Sequence, residues 1–426
     1  MTHDPSEYIR GLQKLLISDK KRIAFLFGAG TSLSKKSDDS TVIPAIDQLT
    51  QEIESKLNEK AEYKTAIAEV KQEITKSTGN AYNIETLLSN LEQKVQIIAD
   101  GILNGLEKRE FESLIKTLKK HIKDAVSVHK EIIENGKLEN SVHVDFAEWI
   151  GRANRKHPVE IFTINYDYLF ELGLEEKNIP FYDGFTGSYT PFFYAESVEN
   201  MGFVPDQTKL WKMHGSLGWY YDEKTEKVCR KDTDQEDILI YPSTLKYGES
   251  KKQPYVALID RLTNFLKEQD TVLITCGYSF SDEHINERIL TALNSKTSGH
   301  VFALFYDVRA RDTGKEYLLS ENSKLSNLAK ANKKLSVYAC RNAVIGGQFG
   351  EWQLKREPGK DDTLNVNLYF DEDAASDENI EIKKEEKSGE NWTGKGELIL
   401  PDFTKFVQFL QAMIYKDTQP GLTVDG

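Results

Sequence analysis

Four short segments, far apart in the chain, place small or polar residues where an apolar run ends. Each run is short and bounded by turn residues, which predicts a strand buried on both faces of a parallel sheet. In open α/β sheets, ligands bind where the carboxyl ends of the strands converge. We therefore expect the four ends to form one pocket. The segments are Phe27-Gly28-Ala29-Gly30-Thr31-Ser32, Thr163-Ile164-Asn165-Tyr166-Asp167, Met213-His214-Gly215-Ser216 and Cys276-Gly277-Tyr278-Ser279.

Strand-like and helix-like patterns alternate over most of the chain, which predicts an α/β fold with a doubly wound, mostly parallel sheet. The predicted strands are 22–27, 159–164, 209–213, 238–241, 271–275, 300–306 and 335–339. The predicted helices outside the central region are 6–18, 43–57, 255–267 and 282–294.

Residues 58–154 are helical in pattern, with apolar residues at three- and four-residue steps, as at Leu87, Leu88, Leu91 and Val95. Such stripes predict helices with one buried face, packed either internally or against another subunit. We predict three parts: an α/β domain from 1–57 and 155–345, a helical insertion at 58–154, and a C-terminal extension at 346–426. The extension contains an acidic linker at 371–390 and a terminal amphipathic helix.

Composition excludes several classes of function. The net charge of −13, from 55 basic and 68 acidic side chains, argues against a broad nucleic-acid-binding face. No apolar run approaches the roughly 20 residues of a membrane span, and the first residues lack the pattern of a signal peptide, so we expect a cytoplasmic location. Three scattered cysteines and dispersed histidines predict no structural metal.

The turn after the first strand can bind a phosphate group. Backbone N–H groups of Gly28, Ala29, Gly30, Thr31 and Ser32 can hold a pyrophosphate, because glycine allows a close backbone approach. The usual Gly-x-Gly-x-x-Gly pattern is incomplete, since a leucine follows Ser32. A plain strand-to-helix connection explains the same residues equally well.

The segment Gly277-Tyr278-Ser279 has the same character and can contact the adenosine half of a dinucleotide. Asp282 follows it and begins a predicted helix. Simple capping of that helix is the alternative explanation.

Two side chains offer chemistry at a nucleotide sugar. The carboxamide of Asn165 can donate to a ribose hydroxyl and position a water, although a turn residue bonded to local backbone is the alternative. The imidazole of His214 can act as a general base on a ribose hydroxyl, although a buried histidine bonded to backbone is equally ordinary. Asp167 fits the cap of a helix that starts near Tyr168.

In chain order, these segments resemble the motifs of the sirtuin superfamily. Tyr241-Pro242 and Lys246-Tyr247-Gly248-Glu249 resemble a further sirtuin stretch. The chain departs from deacetylase sirtuins because the four zinc cysteines are missing, with only Cys229 in that interval, and because a helical insertion follows the first motif. Both departures resemble the sirtuin-like NADases of bacterial antiphage defence, above all those that partner a HerA-type ATPase.

The resemblance implies that NAD+ binds as a substrate and that no metal is required. It implies Asn165 and His214 as the catalytic pair. It also implies a partner ATPase, and regulation by homo-oligomer assembly is expected because helical segments offer apolar faces. The residues expected to bind the nucleotide are Gly28, Ala29, Gly30, Thr31, Ser32, Asp167, Gly215, Gly277, Tyr278, Ser279 and Asp282.

Three functions remain open at this point. The first is hydrolysis of NAD+ to nicotinamide and ADP-ribose, which depletes NAD+ in abortive infection. The second is NAD-dependent ADP-ribosyl transfer or deacylation, against which the missing zinc cysteines count. The third is a non-catalytic sensor that binds NAD+ or ADP-ribose and reports to the partner ATPase.

Overall fold

The chain forms two compact units in the computed structural model. The first unit comprises Met1–Ser34, Asp145–Ile161 and Leu262–Gly426, and the second comprises Lys35–Val144 and Phe162–Arg261. The structure describes residues 1–38, 40–77, 82–153, 155–222, 224–231, 253–295, 298–311, 314–359, 362, 364–373 and 392–414. The predicted strand 238–241 and the segment 241–249 lie outside these residues. The domain boundaries drawn from the sequence remain a prediction.

The secondary structure is numbered in chain order. The helices are α1 (Pro5–Ile17), α2 (Ile46–Leu57), α3 (Ala61–Ser77), α4 (Ile84–Ile97), α5 (Lys108–Val126), α6 (His129–Glu134), α7 (Val142–Arg152), α8 (Leu169–Glu176), α9 (Ala195–Glu199), α10 (Tyr255–Lys267), α11 (Glu283–Asn294), α12 (Lys324–Ala331) and α13 (Phe403–Gln411). The strands are β1 (Thr2–His3), β2 (Arg22–Phe27), β3 (Glu160–Thr163), β4 (Phe181–Tyr182), β5 (Phe185–Thr186), β6 (Phe192–Phe193), β7 (Thr208–Lys212), β8 (Trp219–Asp222), β9 (Lys227–Arg230), β10 (Thr271–Cys276), β11 (His300–Phe305), β12 (Val308–Arg311), β13 (Gly314–Tyr317), β14 (Leu335–Ala339), β15 (Asn342–Ile345), β16 (Gln348–Trp352), β17 (Phe370–Glu372) and β18 (Gly396–Leu398).

The first unit is built on a parallel-rich sheet. Strands β14, β11, β10 and β2 lie side by side in that order and are all parallel. The antiparallel strands β15 and β16 continue from β14, and β1 pairs in parallel with β16. All of β10 and nearly all of β2 are buried, which explains their continuous apolar sequences. The predicted α/β fold class is confirmed.

The C-terminal extension packs on this sheet through α13. The Phe403 ring lies 5.2 Å from that of Phe27, and the Phe406 ring lies 6.0 Å from that of Phe25 (centroid distances). Helix α7 contributes Phe146, whose ring contacts both Phe25 and Phe27. The apolar face predicted for the terminal helix therefore packs within the chain. Residues 374–390 of the predicted acidic linker lie outside the described residues.

The second unit has a helical core of its own. Helices α2 to α6 supply apolar side chains to one buried cluster, so the predicted stripes pack internally. The cluster also includes Leu169 at the start of α8 and Leu217 shortly after β7. Its members that are 2% exposed or less are Ile53, Leu57, Tyr63, Ala66, Ile67, Val70, Ile84, Leu87, Leu88, Leu91, Leu106, Phe111, Leu114, Leu118 and Leu217.

Two small groups of strands complete the second unit. Strands β4 and β7 are parallel neighbours. Strands β5, β6, β9 and β8 form an antiparallel sheet in that order, in which the rings of Phe185 and Trp219 lie 4.9 Å apart. Across the residues that the structure describes, no helix is long and apolar enough to cross a membrane.

Candidate functional site

The two glycine turns of the first unit are direct neighbours. Phe27 and Cys276 are register partners at the ends of β2 and β10, so the residues that follow them emerge side by side. The amide of Gly28 donates to the carbonyl of Cys276 at 3.2 Å. The amide of Gly30 donates to the carbonyl of Gly277 at 3.0 Å. The structure therefore brings together the first and fourth sequence segments.

The close approach of these turns explains why glycine is required there. A Cβ atom at Gly28 would lie 2.5 Å from the carbonyl oxygen of Gly277, and one at Gly30 would lie 2.6 Å from the Gly277 Cα. Gly277 itself has a φ of +64°, a conformation that favours glycine. Backbone packing between the turns is thus sufficient to explain these three glycines.

The other residues of the first turn differ in exposure. Thr31 and Ser32 are buried, Gly28 is buried, Gly30 is half-buried and Ala29 is exposed. Residues Ala29–Thr31 form a single 3-10 turn. The Thr31 amide and hydroxyl both donate to the carbonyl of Gly28, at 3.0 and 2.9 Å, and so close this turn. The part of this turn that faces outward is therefore its main chain around Ala29 and Gly30.

The second turn mixes capping with exposed polar groups. Asp282 caps α11, because its carboxylate accepts from the amides of His284 and Ile285 at 2.9 and 3.2 Å. The Tyr278 side chain is buried, and its hydroxyl donates to the Asn286 carboxamide oxygen at 2.9 Å. Ser279 is exposed, with its hydroxyl 2.8 Å from that of Ser281. The capping expected as the alternative for Asp282 is therefore present.

In the second unit, the turns that carry Asn165 and His214 are joined by several hydrogen bonds. The amide of Met213 donates to the carbonyl of Thr163 at 2.8 Å, and the amide of Leu217 donates to the carbonyl of Tyr166 at 3.0 Å. The Ser216 hydroxyl also donates to the Tyr166 carbonyl at 3.4 Å. These bonds hold the second and third sequence segments next to each other.

The side chains in these two turns are largely enclosed. Asn165 is 6% exposed, and its main-chain N–H donates to the Thr163 hydroxyl at 3.1 Å. His214 is half-buried. The buried Gly215 has a φ of +93°, which lets the chain turn sharply directly after His214. The Asp167 carboxylate accepts from the amide of Leu169, the first residue of α8, at 3.0 Å, although the N-cap position of this helix is Tyr168 and not Asp167.

The sequence analysis did not identify two ionisable side chains beside these turns, Lys212 and Glu171. Lys212, the last residue of β7, is buried and pairs with Glu171 at 3.1 Å. Burial raises the pKa of the Glu171 carboxyl above its usual value, and the nearby Lys212 ammonium offsets only part of this increase. The signal that could have revealed Lys212 was its position between Trp211 and Met213 at the end of a predicted buried strand, since a buried lysine requires a partner.

His143 lies close to the same region of the second unit. Its ring packs edge-on against Phe170 of α8, with centroids 4.6 Å apart. Burial lowers the pKa of its imidazole to about 4, so this histidine is neutral at physiological pH. It is therefore a buried packing residue rather than a proton-transfer group.

The chemistry available is that of an amide, an imidazole and a glycine-rich backbone. A carboxamide can both donate and accept a hydrogen bond, and an imidazole can accept a proton near neutral pH. Among the described residues, no group of three or more His, Cys, Asp or Glu could hold a metal ion. Cys229 lies in β9, where it pairs with Phe192 and Tyr220 across the small antiparallel sheet.

Comparison with known families gives one match. Residues 159–328 match the model of a family described as "SIR2-like domain". The matched range contains Asn165, His214 and the turn from Gly277 to Asp282, whereas the turn from Gly28 to Ser32 precedes it. A search of curated proteins found no match. The match supports a sirtuin-like assignment for this part of the chain, and SIR2-like domains are NAD-dependent enzymes broadly.

Proposed function

We propose that this protein is an NAD+ glycohydrolase, which cleaves NAD+ to nicotinamide and ADP-ribose. The observation that carries the proposal is the set of hydrogen bonds between the turns after β3 and β7, because it places the Asn165 and His214 segments side by side. The SIR2-like match supports NAD+ as the substrate, and it includes both residues.

The reaction breaks the bond between C1′ of the ribose and the ring nitrogen of nicotinamide. The leaving group takes the bonding electrons and so loses its positive charge, while a water oxygen bonds to C1′ and releases one proton. Nicotinamide is a good leaving group, so the protein needs mainly to stabilise an oxocarbenium-like sugar and present the water. Asn165 orients that water, and His214 bonds the ribose hydroxyls.

The residues proposed to contact the nucleotide belong to the two glycine turns and to the turns after β3 and β7. Main-chain N–H groups at a turn suit a diphosphate. In the turn after β2, the amides of Gly28, Gly30, Thr31 and Ser32 already donate to main-chain carbonyls of the protein, so the nucleotide is proposed to contact this turn first at the exposed Ala29. The Asp167 and Asp282 carboxylates already accept from amides at helix starts, and the Tyr278 hydroxyl donates to Asn286, so main-chain atoms are the natural contacts at these three residues. The proposed binding residues are Gly28, Ala29, Gly30, Thr31, Ser32, Asp167, Gly215, Gly277, Tyr278, Ser279 and Asp282.

Mass spectrometry of the products after mixing the purified full chain with NAD+ tests the proposal. We expect nicotinamide and ADP-ribose in equal amounts. Asn165→Ala should lower the rate by about 100-fold or more, because a positioned donor to the reacting centre is lost. Asn327→Ala, at an exposed site on α12, is the control and should retain the wild-type rate. Full NAD+ consumption by a normally folded Asn165→Ala variant would refute the assignment.

The same assay separates hydrolysis from the other two functions. Addition of an acetylated peptide should yield no O-acetyl-ADP-ribose if the protein is a hydrolase, whereas a deacylase would release it. An ADP-ribosyl transferase would attach the ADP-ribose to a protein, which intact-mass measurement detects. Tight NAD+ binding without nicotinamide release, even with the partner present, would indicate a sensor.

The resemblance of the sequence to antiphage NADases supports a further part of the proposal. We propose that the chain assembles into a homo-oligomer in the cytoplasm, acts with a HerA-type ATPase, and depletes NAD+ during infection. Light scattering across a range of protein concentrations, with and without that ATPase, measures the assembly. A chain that stays monomeric at every concentration and ignores the ATPase contradicts this part alone.

A further inference from the structure

Lys212 is one of the most deeply buried charged side chains in the described structure, with 2% of its residue exposed. It ends β7, two residues before His214. Burial of an ammonium group is costly unless hydrogen bonds and an opposite charge replace the lost water. The groups around Lys212 therefore indicate what the burial serves.

Lys212 Nζ contacts three groups: a main-chain carbonyl, a carboxylate and an aromatic ring. It donates to the main-chain carbonyl of Asp167. It pairs with the Glu171 carboxylate, at 3.1 Å to Oε1 and 3.5 Å to Oε2. It also lies 5.7 Å from the centroid of the Tyr168 ring, within the range of a cation–π contact. All three partners belong to the turn after β3 or to the first turn of α8.

These contacts fix the turn that carries Asn165 from two directions. The Asp167 carboxylate is held by the Leu169 amide, and the Asp167 carbonyl is held by Lys212. Asp167 comes two residues after Asn165, so the position of its peptide group limits where the Asn165 side chain can lie. Because Lys212 is on the strand that leads into His214, the contact spans the two segments.

We propose that Lys212 and Glu171 form a positioning pair, which sets the Asn165 turn against the His214 turn. The effect on catalysis rests on the proposed NAD+ hydrolysis, whereas the effect on the turns does not. Lys212 acts through the Asp167 carbonyl and is a positioning residue, not a catalytic one. Glu171 neutralises the ammonium and keeps it directed at that carbonyl.

The same strand offers a matched control. Lys209 is also buried, at 4% exposed, and its Nζ donates to the carbonyls of Val204 and Gln207 at 2.6 and 2.7 Å. Lys209 therefore donates to the loop before β7, whereas Lys212 donates to the turn that carries Asn165. A general effect of removing a buried lysine from β7 should be common to both residues.

The test compares the full-length variants Lys212→Met and Lys209→Met with the wild type by hydrogen exchange and by steady-state kinetics. Lys212→Met should accelerate exchange of the amides at 163–169 and 213–217 by about tenfold or more, whereas Lys209→Met should accelerate only those near 204–207. Lys212→Met should also lower kcat for NAD+ by about 100-fold, because misplaced reacting groups are costly. Its KM should change less than about twofold.

A second variant guards against misfolding. Lys212→Met leaves the Glu171 carboxylate, whose side chain is only 15% exposed, without its cation. The double variant Lys212→Met/Glu171→Gln removes both charges, so it should fold while retaining the loss of kcat. Wild-type exchange rates in both turns of the folded variants would overturn the inference, whatever the enzyme does. Absence of nicotinamide release from the wild type would instead refute the proposed function, and the exchange data would still decide the positioning role.

Discussion

A methyl group added at Gly28 would lie 2.5 Å from the carbonyl oxygen of Gly277. These two glycines follow adjacent parallel strands, and their turns share hydrogen bonds. The distance is too short for any Cβ atom, so one of the two backbones must shift when Gly28 is replaced. A ligand that binds either turn would therefore sense the conformation of both.

Gly28→Ala should destabilise the protein by about 1–3 kcal/mol, as overpacking at a rigid site does. Gly11→Ala is the control, because Gly11 lies in α1 and, among the described residues, nothing beyond its chain neighbours and the backbone of its own helix comes within 4 Å of its Cβ position. That change should stabilise the protein by roughly 0.5–1 kcal/mol, since alanine favours a helix. Urea unfolding curves measure both. Equal unfolding free energies for Gly28→Ala and the wild type would contradict this prediction, because they would mean that the two turns move apart without loss of stability.

His143 should make stability depend on pH on the acid side. Its pKa falls from 6.5 to about 4 on folding because of burial, so the unfolded chain binds the proton more tightly. The contribution of neutral His143 to the free energy of unfolding is complete above pH 6.5. It is lost as the pH falls toward 4, by about 1.4 kcal/mol per pH unit.

Urea unfolding between pH 4.5 and 7.5 measures the dependence on His143. The slope of unfolding free energy against pH should decrease in His143→Gln. The control is His284→Gln, at an exposed position on α11, which should retain the slope. An unchanged slope in His143→Gln would place the titrating group elsewhere.

Phe403 should anchor the C-terminal extension to the sheet. It is 2% exposed, and its ring contacts those of Phe27 and Phe146. Phe403→Ala should lower the unfolding free energy by about 3–5 kcal/mol, as loss of a buried phenylalanine does. Leu368→Ala, at an exposed position in the same extension, should change it by less than about 0.5 kcal/mol. Similar values for both variants would mean that α13 contributes little to the fold.

The three cysteines should be unreactive in the folded protein. All are buried and free, and burial raises the pKa of the Cys229, Cys276 and Cys340 thiols. Because the thiolate is the reactive form, a thiol reagent at pH 8 should label them slowly. In denaturant the same reagent should label all three rapidly. Fast labelling of one thiol under native conditions would reveal local opening around that residue.

The sequence predicted the parts of the structure that depend on local pattern. Strands β2 and β10 were predicted because continuous apolar runs ended at Gly28 and Gly277, and a buried parallel strand has this pattern. Helix α13 was predicted from its apolar stripe. The hairpin of β12 and β13 was not predicted, because each strand has only four residues, these are mostly exposed, and the sequence Gly-Lys-Glu-Tyr of β13 does not alternate apolar and polar residues.

The local sequence pattern could not predict which elements pack against one another. The apolar stripe of α13 predicted that one face of this helix is buried. It did not predict that this face packs against Phe25 and Phe27. Lys212 was missed because its carboxylate partner, Glu171, is 41 residues earlier in the chain. The pairing of the Asn165 and His214 segments was expected from their strand ends, and their joining hydrogen bonds lie within one unit. The roles of both residues remain a prediction.

The support for the two glycine turns comes from late in the chain. The carbonyl of Pro401 accepts from the Cys276 thiol at 3.6 Å, across 125 residues, and α13 packs on β2. Because synthesis proceeds from the N-terminus, a nascent chain lacks this support until residues 401–411 have left the ribosome. We therefore expect the two glycine turns to be less ordered in an unfinished chain than in the full-length protein.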